Sequence, residues 1–203
     1  MVNQQKQEDW HIHSSYSRDS RTLPANIVDR AVKRGLKKIC VLDHNTIQGG
    51  LKAREYAKGK DIEVVVGAEI ETDKGEIAGV GLTDEIKSRK LLDVIAEIKN
   101  QGAKVLIPHP YGSIRRTKRC YMLEEVAPFS DYIELYNGRS FFNFSTKKTR
   151  RLIKEFGLIP VSGSDAHFAF EIGNVRPKFL YRGIAGFFLT GILNLILLRF
   201  KKR

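Results

Sequence analysis

The stretch DWHIHSSYSRDSRTLPANIVDRAVKRGLKKICVLDH, residues 9–44, decides the fold. It opens on a short run, DWHIH (9–13), in which His11 and His13 are separated by a single residue. Residues i and i+2 of a strand share a face. Two imidazoles side by side repel when protonated, and they make sense together when something positive sits between them. Next comes LPANIVDRAVKRG (23–35), with Pro24 early, apolar residues at i, i+3 and i+4 and a glycine stop. That is the pattern of a helix. KKICVL (37–42) then reads as a second strand, with His44 just past its end. Strand, helix, strand implies a parallel pair joined by a right-handed crossover.

The rest of the chain repeats the unit. Further strands are expected at DIEVVVG (61–67), GEIAGVGL (75–82), KVLIP (104–108), DYIELY (131–136) and LIPVSG (158–163). Helices are expected near 47–58, over 84–102, near 121–126 and near 143–156. The 84–102 segment carries Ile86, Leu91, Val94, Ile95 and Ile98 at helical spacing. The reading is an α/β fold, a distorted seven-stranded TIM-like β/α barrel, closed or nearly so, with parallel pairing of strands that alternate with helices. A doubly wound open sheet is the alternative.

The 203 residues are enough for one domain with its own core. Apolar content of 42% and charged content of 29% are ordinary for a soluble globular chain. Thirty-five Lys and Arg against 23 Asp and Glu give a net charge of +12, which favours anionic partners. Two cysteines, Cys40 and Cys120, cannot make a disulfide scaffold and point to a reducing, cytoplasmic setting. The polar start, MVNQQKQED, predicts no signal peptide.

All five histidines, His11, His13, His44, His109 and His167, fall at or just past the C-terminal end of an expected strand. In β/α folds those ends converge on one face, where sites are built. Asp19, Glu69, Glu134 and Asp165 belong to the same level. A set of imidazoles and carboxylates without thiolates suits Zn²⁺, Mn²⁺ or Fe²⁺. The candidates exceed what one ion needs and fit two or three ions sharing a bridging group. No serine, cysteine or lysine nucleophile stands out, which makes a metal-bridged hydroxide the expected attacker.

These residues resemble the PHP (polymerase and histidinol phosphatase) family. DWHIHS is similar to its first motif and LDHNT to its second, with Leu42 where threonine is usual. GAEI, PHP (108–110) and GSDAH follow in order, so that the resemblance spans residues 9 to 175. It implies a metal-dependent phosphoesterase or nuclease with a centre that is typically trinuclear. Carried over, it implies that His11, His13, Glu69 and Asp165 hold one ion, with Glu69 bridging to a second served by His109. Asp19, His44 and His167 would hold a third, and Asp43 would orient a ligand. Asp165, His167 and Glu69 are the expected catalytic group. Relatives carry a further histidine in the strand after G-x-E; here Glu76 stands in that strand and is the candidate substitute. Glu134 is a candidate supporting residue or further ligand.

Asn137 and Arg139, just beyond a strand end, are candidate substrate-phosphate contacts, as are Arg115 and Arg116 in the loop after His109. Tyr111 is a candidate for stacking on a base or sugar. The expected substrate is a phosphorylated small molecule, a nucleotide or a short oligonucleotide. The rival readings are a non-catalytic module that binds nucleic acid or a partner, and a hydrolase of a non-phosphate ester or amide. Residues 1–178 form the expected catalytic domain, and 179–203 a C-terminal apolar and basic helix. Its apolar part, Ile184–Leu198, spans about 22 Å as a helix, short of a ~30 Å hydrocarbon core. Packing on the barrel, an interfacial contact with acidic lipid and a dimer contact are its three readings.

Overall fold

The computed structural model describes residues 7–111, 123–139 and 146–175. Seven strands form one sheet: β1 (Glu8–Ile12), β2 (Lys38–His44), β3 (Glu63–Thr72), β4 (Gly75–Val80), β5 (Lys104–Ile107), β6 (Tyr132–Asn137) and β7 (Ile159–Gly163). They lie side by side in chain order. Helices α1 (Pro24–Lys33), α2 (Gln48–Tyr56), α3 (Leu91–Asn100), α4 (Leu123–Val126) and α5 (Thr146–Phe156) make the connections. The segment after β7 returns to β1: Ile12 bridges Ala166, His13 N donates to Ala166 O at 2.9 Å and Asp165 N donates to His11 O at 2.8 Å. The result is a nearly closed barrel, in agreement with the sequence reading, and its seam runs through candidate site residues.

One expectation fails. β4 is antiparallel to both β3 and β5, whereas the other four adjacent pairs are parallel. Only Asp73 and Lys74 separate β3 from β4. A parallel crossover needs a dozen residues or more, so a two-residue link forces a hairpin. Gly75 closes that turn at φ 108°, a conformation open to glycine.

A second expectation is cut short. Residues 84–90 do not join α3. Thr83 N and Asp84 N donate to Gln101 Oε1, and Lys87 N and Ser88 N donate to the Glu97 carboxylate. The helix's own side chains thus satisfy the backbone of a strap lying across it, which competes with the helical alternative. Ile86 still reaches the core, buried with Val94, Ile95 and Ile98.

Burial explains where the site lies. The inner apolar cluster comprises Cys40 and Leu42 of β2, Ala78 and Val80 of β4, Leu106 of β5 and Val161 of β7. Trp10 and Tyr132 pack against it, their ring centroids 4.8 Å apart. Continuing each strand by steps of two brings His44, Glu69, Glu76, Glu134 and Gly163 onto the same face. The barrel is therefore apolar at one end and polar at the other. The outer faces pack on the helices, with Ile27, Val28 and Ala31 of α1 against Ile12, Ile39 and Val41. Among the described residues no helix is long and apolar enough to cross a membrane. The tail 179–203, Cys120, Arg115 and Arg116 lie outside the described residues.

Candidate metal centre

The five histidines come from β1, β2 and the segments after β1, β5 and β7, and their rings touch. Centroids of His13 and His167 are 4.3 Å apart, of His13 and His44 4.7 Å, and of His11 and His109 5.7 Å. Ligand atoms gather in overlapping groups. His11, His13 and Glu69 form one; Glu69, Glu76 and His109 form another; His13, Asp19, His44 and His167 form a third. Glu69 is the hub. Its Oε2 lies 3.6 Å from His11 Nε2, 3.6 Å from His13 Nε2 and 3.3 Å from His44 Nδ1, and its Oε1 lies 2.8 Å from His109 Nε2. Asp165 Oδ1 stands 3.4 Å from His13 Nε2, and Asp19 Oδ2 stands 3.2 Å from His167 Nε2 and 3.5 Å from His44 Nε2.

Acceptor-only partners fix two tautomers. His11 Nδ1 donates to Glu134 Oε1 at 2.9 Å, and His167 Nδ1 donates to the Asp165 carbonyl at 2.9 Å. Each leaves its Nε2 lone pair for the cluster. His11 Nε2 and His13 Nε2 face each other at 3.0 Å, and buried His44 Nδ1 has no hydrogen-bond partner. Converging nitrogen lone pairs among ionised carboxylates are what a divalent cation organises, so the donor set fits one.

The electrostatics agree. Burial works to lower the His109 pKa, but the Glu69 carboxylate outweighs it and holds the ring at about 9. His11 likewise lies well above its ordinary value despite burial, through Glu134, Glu69 and Asp165. Burial and the nearby His167 push His13 down to about 3. Glu69 and Asp165 stay well below the carboxylate range against their burial, chiefly because of His11.

A pH dependence of the metal-free fold follows. His13 binds its proton less readily folded than unfolded, so stability rises with pH from about 3 to about 6.5. His109 binds its proton more readily when folded. Its contribution is fully present below about 6.5 and is lost as pH rises towards about 9. Chelated protein unfolded by urea should show a stability maximum near neutral pH; a maximum at or above pH ~9 would contradict this balance.

The surrounding residues sort into those sequence reasoning found and those it missed. Glu134 also accepts from His109 N at 2.6 Å and from Asn137 Nδ2 at 2.9 Å, tying β6 to two histidines. Asn137 contacts Asp165 Oδ2 at 3.4 Å, and its Oδ1 accepts from Arg139 N at 2.9 Å. Arg139 Nη2 donates to Glu171 Oε2 at 2.8 Å, and the same oxygen accepts from His167 N at 3.0 Å. Tyr111 packs against the core, with Lys148 Nζ 5.7 Å from its ring. Asp43 accepts from Ser14 N at 2.6 Å and from Ser14 Oγ at 2.7 Å. Ser17 contacts two of the histidines directly. Its Oγ bonds His13 Nδ1 at 3.1 Å and accepts from His44 N at 2.8 Å. Ser20 Oγ spans the seam, donating to the carbonyls of His13 (3.0 Å) and His167 (2.9 Å). Ser17, Ser20 and Glu171 were missed because isolated polar residues carry no spacing signal.

The model of the PHP domain matches residues 9–154, well over half the chain. The chain belongs to the PHP family. The PHP-associated model matches residues 145–192. An uncharacterised protein of Methanocaldococcus jannaschii is 39% identical over 117 residues, covering 52% of this chain and 68% of that protein. A 5′-3′ exoribonuclease of Haemophilus influenzae is 27% identical over 198 residues, covering 87% of this chain and 70% of the relative. Among solved structures, a two-domain protein of Bacteroides vulgatus containing a predicted PHP-like metal-dependent phosphoesterase superposes with a TM-score of 0.69 at 22% identity. That match covers 81% of this PHP chain and 52% of the other, so the chain spans about half of that structure's length.

Proposed function

We propose that this PHP chain is a metal-dependent phosphoesterase that hydrolyses a phosphate ester of a nucleotide, a short oligonucleotide or a small phosphorylated metabolite. The observation that carries the reading is the gathering of His11, His13, His44, His109 and His167 around Glu69, Asp19 and Asp165 at one barrel end. In this reading His11, His13, Glu69 and Asp165 hold one divalent ion of Mn, Zn or Fe. Glu69, Glu76 and His109 hold a second, and Asp19, His44 and His167 a third. Bound ions supply Lewis acidity and a water of lowered pKa.

The chain's own residues do the rest. Glu134 and the Asp165 carbonyl keep His11 and His167 in the tautomers that present Nε2. Backbone at φ 26° for His109 and 53° for Asp165 holds both in a strained, left-handed conformation. Such strain concentrates at sites that the surrounding fold over-determines. Arg139, together with Arg115 and Arg116, is proposed to receive the substrate phosphate. Its bond to Glu171 uses Nη2 alone, and Asn137 steadies its backbone. The +12 charge favours an anionic substrate over a neutral ester or amide.

Elemental analysis and chelation test the reading. The purified protein should carry two or three equivalents of transition metal and lose phosphatase activity in strong chelator. Less than one equivalent with full activity in chelator would overturn it. Metal without activity on any phosphate ester would favour the binding-module reading.

A further inference from the structure

We propose that the outward face of α5 is a phosphate-backbone track for single-stranded nucleic acid, laid so that the strand leads to the metal centre. The proposal rests on the phosphoesterase reading and narrows its substrate to an oligonucleotide. α5, TKKTRRLIKEF, carries five cations and one acid, whereas α1 to α4 together carry five cations and six acids. The positive excess of the described helices is thus confined to one element.

Helix geometry sorts the side chains. Thr149, Leu152, Ile153 and Phe156 recur at i, i+3, i+4 and i+7; the first two are buried and the last two pack on the core. Lys147, Arg150, Arg151 and Lys154 repeat that spacing on the opposite face, all exposed, with Lys148 beside them. Glu155 offsets Arg151 alone, Oε2 to Nε 3.4 Å, in an exposed i, i+4 pair of small worth. The five cations and Glu155 line one groove.

The face begins beside the metal centre. Lys148 Nζ lies 5.7 Å from the ring centroid of Tyr111, two residues after His109. Arg150 Nη2 donates to Tyr136 Oη at 3.4 Å, and Tyr136 precedes Asn137 at the end of β6. From Lys147 to Lys154 the helix rises about 10 Å, the length of about three phosphates of a stacked strand. A row of cations that long matches repeated phosphates rather than the single phosphate of a small metabolite. A lipid surface is the poorer partner, because an interfacial helix needs its apolar face for the bilayer and α5 has that face in the core.

The test is binding of a labelled oligothymidylate of about ten nucleotides to the full, metal-loaded chain, read by fluorescence anisotropy over a range of salt. Phosphorothioate links keep the probe from being hydrolysed. The Lys147→Gln/Arg151→Gln/Lys154→Gln variant should bind about 10²-fold more weakly than wild type at about 0.1 M salt. Its slope of log affinity against log salt should be shallower by about 2, since each single-strand phosphate contact contributes about 0.7. Its metal content and its kcat/KM for p-nitrophenyl phosphate should match wild type. Lys33→Gln/Arg54→Gln/Lys99→Gln, which removes equal charge from α1, α2 and α3, should keep the wild-type slope. Equal weakening in the two variants would reduce α5 to a share of the net charge and overturn the proposal. No binding by wild type, or an unchanged slope in the α5 variant, overturns it too, while continued hydrolysis of p-nitrophenyl phosphate leaves the phosphoesterase reading standing. Loss of binding to phosphatidylcholine–phosphatidylserine vesicles in the α5 variant, with oligonucleotide binding unchanged, would assign the face to lipid and overturn it as well. A wild-type chain that binds the strand through α5 but hydrolyses no phosphate ester keeps the track and overturns the phosphoesterase reading.

Discussion

Glu69→Gln is expected to remove most of the bound metal and to lower the phosphoesterase rate by ~10³-fold. Losing a metal's charge stabilisation costs several kcal/mol, and each 1.36 kcal/mol is about tenfold in rate. The carboxylate touches four of the five histidines, and among the described residues no other carboxylate reaches as many. Glutamine keeps the shape and hydrogen-bonding reach but loses the negative charge, and its amide presents a donor where the histidines need an acceptor. The same change weakens the hold on protons at His109 and His11, both of which Glu69 raises. The metal-free variant should therefore be less stable than metal-free wild type at neutral pH, with a smaller alkaline decline that ends at lower pH. Elemental analysis, kinetics and urea unfolding on one preparation separate these effects. A variant that keeps its full metal complement and more than about a tenth of the rate would reduce Glu69 to a structural counter-charge.

The sequence exposed this centre because its ligands are rare residues in a periodic setting. Histidine occurs five times, and each occurrence lies at or just past the end of an expected strand, so topology alone could be used to gather them. The strand positions were legible for the same reason. KICVL and EVVVG are continuous apolar runs, as strands buried on both faces should be. What escaped was set by local chemistry without periodicity. The direction of β4 depends on a two-residue link that reads, by composition, like any other short loop. The start of α3 at Leu91 depends on Asp73 Oδ1 accepting from Leu91 N at 2.9 Å and on Glu97 and Gln101 satisfying the strap before it. Those are contacts between distant residues, and helical spacing of Ile86 with Leu91 could not reveal them.

The supporting groups escaped for a related reason. Asp43, which the family resemblance offers as a residue that orients a ligand, grips Ser14, because successive residues of a strand point to opposite faces. Ser17 reaches His13 only because a tight turn, closed by Ser17 N donating to Ser14 O at 2.9 Å, folds it back. Glu171 was invisible because its two partners, Arg139 and His167, arrive from either side of β7.

Gly163→Ala is expected to disable the centre without altering a single ligand. Gly163 ends β7 on the face that carries Glu134 and His11. A Cβ built there would lie 2.4 Å from His11 Cβ, 2.5 Å from Glu134 Oε1 and 3.0 Å from His11 N. Carbon atoms do not approach so closely, and two of the three atoms belong to β1, whose backbone is pinned by the Asp165 N to His11 O bond. The strain cannot be relieved by rotating the end of a flexible chain. Overpacking of this kind costs about 1–3 kcal/mol or more of stability. It also parts Glu134 from His11 Nδ1, and losing such an orienting bond costs about 10–100-fold in metal affinity. Gly157→Ala is the control. Gly157 has φ 68° and nothing within 4 Å of its added Cβ, so the cost there is backbone strain alone, about 1–2 kcal/mol, with metal affinity unchanged. Zinc affinity measured by competition with a chromogenic chelator, alongside melting temperature, distinguishes the two variants. Equal affinity in Gly163→Ala and Gly157→Ala would show that β1 and β7 can part at this point, and that the His11–Glu134 bond does not set the geometry of the site.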